Sequence, residues 1–204
     1  MTMALLSDIH GNLEALDAAL ADLDATAPGA RVFVAGDVVG YGPDPASCLE
    51  RLRARGAAMV RGNHEEMVLG VRDDLRCVAS GILSVAWTRR RLQAHAPAAL
   101  ELMRALPAHL EYDGVVICHG SPGDVGVYVG CPFRCERALE DVDAVRPHCR
   151  VLVVGHTHVP AVFTRKRGLV RPGDTHASMG VEVELDAGDR TVVNPGAVGQ
   201  ARDG

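Results

Sequence analysis

The sequence predicts an α/β fold. Three observations carry that prediction. Five short apolar runs each end in a cluster of polar, metal-capable side chains. Stretches with helical period fill the gaps between them. The length of 204 residues, with 48% hydrophobic and 23% charged residues, describes an ordinary globular chain, read as one domain over residues 1–204. A chain of this size buries about 70% of its unfolded surface and needs no disulfide or metal to fold.

The elements follow in order. Met3-Ala4-Leu5-Leu6 leads to Ser7-Asp8-Ile9-His10-Gly11-Asn12. A continuous apolar run this short reads as a strand buried on both faces. Leu13, Leu16, Leu20 and Leu23 then fall on one helical face, with Asn12 as N-cap and Pro28-Gly29 as stop. Val32-Phe33-Val34-Ala35 ends at Gly36-Asp37, and a second helix starts at Pro45 and runs to Arg55. Ala57-Ala58-Met59-Val60 ends at Arg61-Gly62-Asn63-His64-Glu65. Helices are expected from Val78 to Ala94 and from Pro97 to Ala105. Ala108 to Tyr112 and Gly114 to Cys118 form a hairpin that ends at His119-Gly120. A further helix spans Cys135 to Val145, and Val151-Leu152-Val153-Val154 ends at Gly155-His156-Thr157-His158. Val159 to Thr164, Leu169 to Val170, Val181 to Leu185 and Thr191 to Val193 suggest a second, mostly antiparallel sheet. Ligands of open α/β sheets bind outside the carboxyl ends of the strands, so the pattern places all five clusters on one rim of one sheet.

Composition excludes several functions. The net charge of −5 disfavours a non-specific nucleic-acid or membrane binder. One Trp, three Tyr and three Phe are too few for a base-stacking platform along a strand of nucleic acid. No apolar run reaches the ~18–20 residues of a membrane span. Met1 to Leu6 lacks the basic start of an export signal. The six cysteines are too dilute for a disulfide scaffold, so a cytoplasmic, reduced protein is expected. The expected partner is a small phosphate-ester substrate, with no stable nucleic-acid binding and no membrane. Assembly as a homo-oligomer rests on base rate alone.

Asp8, His10, Asp37, Asn63, His119, His156 and His158 are oxygen and imidazole donors. That set suits Mn, Fe or Zn rather than a cysteine-built structural zinc site. Seven donors exceed what one ion takes, and suffice for two ions sharing one carboxylate. A bridged pair ~3.5–4 Å apart suits in-line displacement at phosphorus. His95, His109, His148 and His176 match no motif. Cys131 and Cys135 have no zinc or redox spacing and read as loop cysteines near a helix start. Arg89-Arg90-Arg91 and Arg165-Lys166-Arg167 read as a solvated helix face and a hairpin tip.

These blocks resemble, in order, the motifs of the calcineurin-like metallophosphoesterases, and within them the small bacterial and archaeal phosphodiesterase-like proteins. The second group is approached through Ser7 to Asn12, Gly36 to Pro43 and Asn194-Pro195-Gly196. The resemblance implies a four-layer α/β/β/α sandwich of two mixed sheets. It implies two divalent transition-metal ions, Mn foremost, with Fe, Ni or Zn as alternatives. Asp8, His10 and His158 would hold one ion, Asn63, His119 and His156 the other, and Asp37 would bridge them with a nucleophilic hydroxide. His64 would bind phosphoryl oxygens or protonate the leaving group, and Glu65 would support it, orienting the ring. Asn12, Arg61 and Arg134 are substrate-contact candidates, as are Asp124 and Tyr128 in the loop after His119. The protein-phosphatase branch carries an arginine soon after its Gly-Asp, which is absent from Gly36 to Gly42. Without that bidentate phosphate clamp the expectation tilts to a phosphodiesterase. A phosphomonoesterase or protein phosphatase, a dinucleotide polyphosphate hydrolase and a non-catalytic interaction module are the alternatives. The completeness of the second sheet after Asn194-Pro195-Gly196 is left open.

Overall fold

The computed structural model describes residues 2–73, 77–172, 185–186 and 188–202. Strands β1 (Met3–Leu6), β2 (Arg31–Val34) and β3 (Ala58–Met59) form a parallel sheet in the order β1-β2-β3. The second sheet has six strands in the order β4-β5-β6-β9-β7-β8. These are β4 (His109–Tyr112), β5 (Val115–Cys118), β6 (Val151–Val153), β7 (Ala161–Lys166), β8 (Leu169–Pro172) and β9 (Arg190–Asn194). Its centre, β5-β6-β9, is parallel, and the hairpins β4-β5 and β7-β8 are antiparallel, as is β7 on β9.

The period of two along each strand builds the layers. Val32 and Val34 point to one side of β2, where Leu16 and Leu20 of helix α1 (Leu13–Thr26) meet them. Helices α2 (Pro45–Ala54), α3 (Asn63–Leu69), α4 (Ala79–His95) and α5 (Pro97–Ala105) complete that outer layer. On the other side, Phe33 and Ala35 face Ile117 and Val153 of the second sheet. Phe33 packs on Tyr112 with ring centroids 5.0 Å apart, joining the sheets. Truncation of such a buried ring costs ~3–5 kcal/mol. Val116, Leu152 and Val192 turn outward to helix α6 (Pro132–Val145), which brings Ala138, Leu139 and Val142. The result is the four-layer sandwich.

The structure corrects the expected sheet arrangement in two ways. The five clusters lie on two sheets, three at the ends of β1 to β3 and two at the ends of β5 and β6. The late strands do not make their own antiparallel sheet but add to the edge of β6 through β9. Helix α3 was not expected from the sequence. Residues 181–184 of the strand expected at Val181 to Leu185, and His176, lie outside the described residues. Arg89 and Arg165 make structural contacts, while Arg90, Arg91 and Arg167 are exposed as expected of a solvated helix face and a hairpin tip. Arg89 Nε donates to the Val68 carbonyl at 2.8 Å, and Arg165 pairs with Glu136 and Asp143 beside the hairpin turn.

Candidate metal centre

Parallel strands of both sheets present their carboxyl ends to a common rim, and all seven expected donors are buried there. The loops that carry them bend sharply. Asp8, His10, Asp37, His156 and His158 have left-handed backbones, with φ between 51° and 67°. Such bends are uncommon outside glycine, and Asp and His are among the residues that tolerate them. They turn the side chains back over the strand ends. The loops also tie one another down, with Asp8 N donating to Gly36 O at 3.1 Å and His10 N to Asp37 O at 3.0 Å. Gly155 N reaches His119 O at 2.7 Å.

The donors fall into two groups that meet at Asp37. Asp8 Oδ1 lies 3.2 Å from His158 Nε2 and 3.8 Å from His10 Nε2. Asp37 Oδ2 lies 3.8 Å from His10 Nε2 and 3.2 Å from His119 Nε2, so one oxygen faces both groups. Asn63 Oδ1 is 3.0 Å from His119 Nε2, and the His119 and His156 rings are 5.0 Å apart.

The polar atoms facing outward from this cluster are held, and those facing inward are not. Asp8 Oδ2 accepts from Ser7 Oγ at 2.6 Å and His156 N at 3.1 Å, while the buried Asp8 Oδ1 has no hydrogen-bond partner. His10 Nδ1 lies 3.1 Å from Val39 O, His119 Nδ1 2.7 Å from Ala35 O, and His158 Nδ1 2.6 Å from Gln200 O. A carbonyl can only accept, so each Nδ1 carries a proton, and the Nε2 atoms of neutral His10 and His158 offer lone pairs. The His10 and His158 Nε2 atoms then face each other at 3.1 Å. Two lone pairs and an unpartnered carboxylate oxygen around one point repel unless a cation sits among them. The donor set thus fits a dinuclear divalent centre, Asp8, His10 and His158 on one side and Asn63, His119 and His156 on the other.

The charges agree with that division. Burial pushes His10 and His156 down to about 4, against the pull of the carboxylates, which leaves them neutral ligands. Burial alone would raise the Asp37 carboxyl, but the His119 and His64 imidazoles hold it well below the usual carboxylate range. Burial would likewise depress His119, but Asp37 and the Ala35 carbonyl raise it to about 10.

His64 follows Asn63 in the first turn of α3, with its N–H donating to Asp37 Oδ1 at 2.9 Å. Its ring stands edge-on to His10 at 4.8 Å, and its buried Nδ1 has no partner. The chain passes close beside it at Gly40, φ 89°, where a Cβ would lie 2.2 Å from His64 Nδ1. Any side chain there would displace the ring. Glu65 does not orient His64, as the sequence suggested. Its carboxylate accepts the backbone N–H groups of Asp37 (2.9 Å), Gly62 (2.8 Å) and Val39 (3.1 Å), and so pins the loop that carries Asp37. Burial, joined by the Asp37 charge, raises Glu65 to about 7 against the Gly62 and Val39 N–H donors.

A cavity of about 480 Å³ opens over the cluster, lined by Asp37, Asn63, His64, His156 and His158 together with Tyr41, Tyr128, Gln200 and Arg202. None of Asn12, Arg61 and Arg134 lines it. Asn12 caps α1 through Ala15 N and donates to Gly199 O. Arg61 is turned to Leu106 O and Glu66. Arg134 is exposed on α6. Tyr128, from the loop after His119, does line the cavity. Tyr41, Gln200 and Arg202 were not anticipated. The last two arrive because the segment after β9 returns to the rim, with Val198 N on Ser7 O and Gly199 N on Asp8 O, each at 3.0 Å. Asn194 starts that return and braces the 155–158 loop through Gly155 O at 2.8 Å.

The profile of the calcineurin-like phosphoesterase superfamily domain matches residues 1–204. The chain belongs to this family. This calcineurin-like phosphoesterase is 31% identical over 207 residues to the uncharacterized protein MJ0912 of Methanocaldococcus jannaschii, spanning 99% of this chain and 78% of that protein. It is similar to the crystal structure of a metallophosphoesterase from Sphaerobacter thermophilus, with TM-score 0.75 and 29% identity over 100% of this chain and 80% of that one. A stretch of 78 residues is 36% identical to a symmetrical bis(5'-nucleosyl)-tetraphosphatase from Janthinobacterium sp. It spans 37% of this chain and 28% of that enzyme. Among the described residues no helix is long and apolar enough to cross a membrane.

Proposed function

We propose that this calcineurin-like phosphoesterase hydrolyses phosphodiesters with a pair of divalent ions, Mn foremost. The supporting observation is Asp37 Oδ2, set between two donor groups at the floor of an open cavity. Bound there, two divalent ions supply Lewis-acid charge at the phosphoryl oxygens and an acidified water as nucleophile. The chain's own residues do the rest. Asp37 holds the two groups in register, and Glu65 keeps its loop from moving. His64 offers a ring nitrogen into the cavity. Burial keeps its imidazole below the ordinary value, against the Asp37 charge. It serves as a hydrogen-bond donor to the phosphoryl oxygens.

The preference for diesters rests on charge. Among the described lining residues, Arg202 is the only permanent cation, and no arginine follows Gly36-Asp37. A phosphate diester carries one negative charge and a terminal phosphate two, and dianions are usually gripped by arginine forks. The partial likeness to a dinucleotide tetraphosphatase supports hydrolysis of a phosphoanhydride as the second reading. A non-catalytic module is disfavoured because every donor and His64 converge. The six cysteines, all free thiols, support a cytoplasmic setting.

The test is hydrolysis of an aryl phosphodiester and the matching monoester, as metal-free protein and with Mn, Ni, Zn or Mg. Diester turnover that appears only with added metal is expected. Faster monoester turnover would replace this reading by a phosphatase, and no turnover by protein carrying two ions would remove the enzyme.

A further inference from the structure

The cavity is larger than a phosphoryl group needs. Its volume of about 480 Å³ lies within the range that encloses a whole drug-sized molecule. The additional room is walled by rings and alkyl carbon, with Tyr41, Val78 and Tyr128 around it. The two tyrosines differ. The Tyr41 ring is packed edge-on to His10 at 4.8 Å and lies 4.9 Å from His64, and its hydroxyl meets Cys77. These contacts tie the ring to the two histidines and to Cys77. Tyr128 stacks one face on His156, with centroids 4.0 Å apart and planes 28° from parallel, yet the residue is 56% exposed. With one face covered, that exposure belongs to the opposite face and the ring edge.

The loop that presents Tyr128 is fastened. Asp124 Oδ1 accepts from Gly126 N and from an Arg72 amino group, both at 2.8 Å, and Ser121 and Asp124 exchange backbone hydrogen bonds. The ring is therefore oriented before any ligand arrives, which removes most of the ordering cost of binding to it. A large aromatic face left open on a fastened loop, beside a phosphoryl-binding floor, is a stacking platform.

We propose that Tyr128 is a specificity-determining residue: its open face stacks a planar aromatic substituent, a nucleobase or aryl ring, carried by the phosphate ester. The proposal rests on the phosphoesterase reading above and adds the class of the substituent. It also explains how a cavity with one arginine among its described lining residues holds its substrate, since ring stacking supplies affinity that charge does not.

The experiment uses methylphosphonate and phenylphosphonate, which share the phosphoryl anion, differ in the ring and resist hydrolysis. Binding to the metal-loaded protein is measured by calorimetry for the wild type, Tyr128→Ala and Tyr128→Phe. Phenylphosphonate should bind about tenfold more tightly to the wild type, within the span that stacking supplies per ring. The ratio should fall to about one in Tyr128→Ala and survive in Tyr128→Phe. A variant that merely loosens His156 weakens both ligands together and leaves the ratio in place, so an unchanged ratio in Tyr128→Ala overturns the proposal. Equal binding of both ligands to the wild type also overturns it and leaves the phosphoesterase reading standing. Binding of neither ligand to protein with two ions overturns the stacking proposal, and the phosphodiesterase reading is decided separately by turnover of the aryl diester.

Discussion

The two donor groups differ in how they are readied for an ion. Asp8, His10 and His158 are finished in the protein itself. Ser7, Val39 and Gln200 hold their outer atoms, and what remains is an orphaned carboxylate oxygen facing two imidazole lone pairs. Asn63, His119 and His156 are less complete. Asn63 sits at the start of a seven-residue helix, and His156 stacks on Tyr128 and hydrogen-bonds the Gly126 backbone. His119 carries a proton that Asp37 retains up to about pH 10. An ion entering the first group displaces repulsion, whereas an ion entering the second must displace a proton.

Asp37 belongs to both groups, so its removal should erase the difference. Asp37→Ala is expected to drop turnover to background and metal content, by elemental analysis, to one ion or fewer per chain. Two retained ions would show that Asp37 is not shared. His64→Ala should leave both groups intact with two ions bound, while kcat falls ~10²–10³-fold, the usual loss for a donor aimed at developing charge. Ser7→Ala removes a support of the first group only. It should weaken that ion ~10–100-fold, as such supporting contacts do, with the second little changed in a two-step titration. Acid should act in the opposite way. Below the raised value of His119, protonated ring competes with metal, so the second ion should weaken about tenfold for each pH unit lost. The first ion, held by His10 already neutral above about pH 4, should respond less. Two ions with the same pH slope would refute the assigned proton.

Much of this arrangement was legible in the chain. The strand-end clusters carry the donors, and the continuous apolar run before each gives a strand buried on both faces. The split into two sheets was not legible, because a buried strand reads alike whichever sheet it joins. Helix α3 escaped because its apolar residues, Met67 to Leu69, make barely one turn. Glu65, reaching back to Gly62 N, was the local sign of its start. Substrate contacts were the weakest part. Asn12, Arg61 and Arg134 sit near the motifs in sequence but spend their polar groups elsewhere or face solvent. Arg202 lies far along the chain from Asp37 and reaches the cavity because the segment after Asn194 turns back to Ser7 and Asp8 beyond the end of β1.

The left-handed bends at Asp8, His10, Asp37, His156 and His158 set chemistry against sturdiness. Each costs a non-glycine residue ~1–3 kcal/mol that the surrounding hydrogen bonds must absorb. Glycine would adopt the same bend without strain and without a ligand atom. In metal-free protein His158→Gly should therefore melt above His158→Ala, by about 1 kcal/mol of stability. A lineage selected only for a durable sandwich would drift towards glycine at these five positions, so a histidine or aspartate kept in such a conformation is itself a trace of selection for what the side chain does.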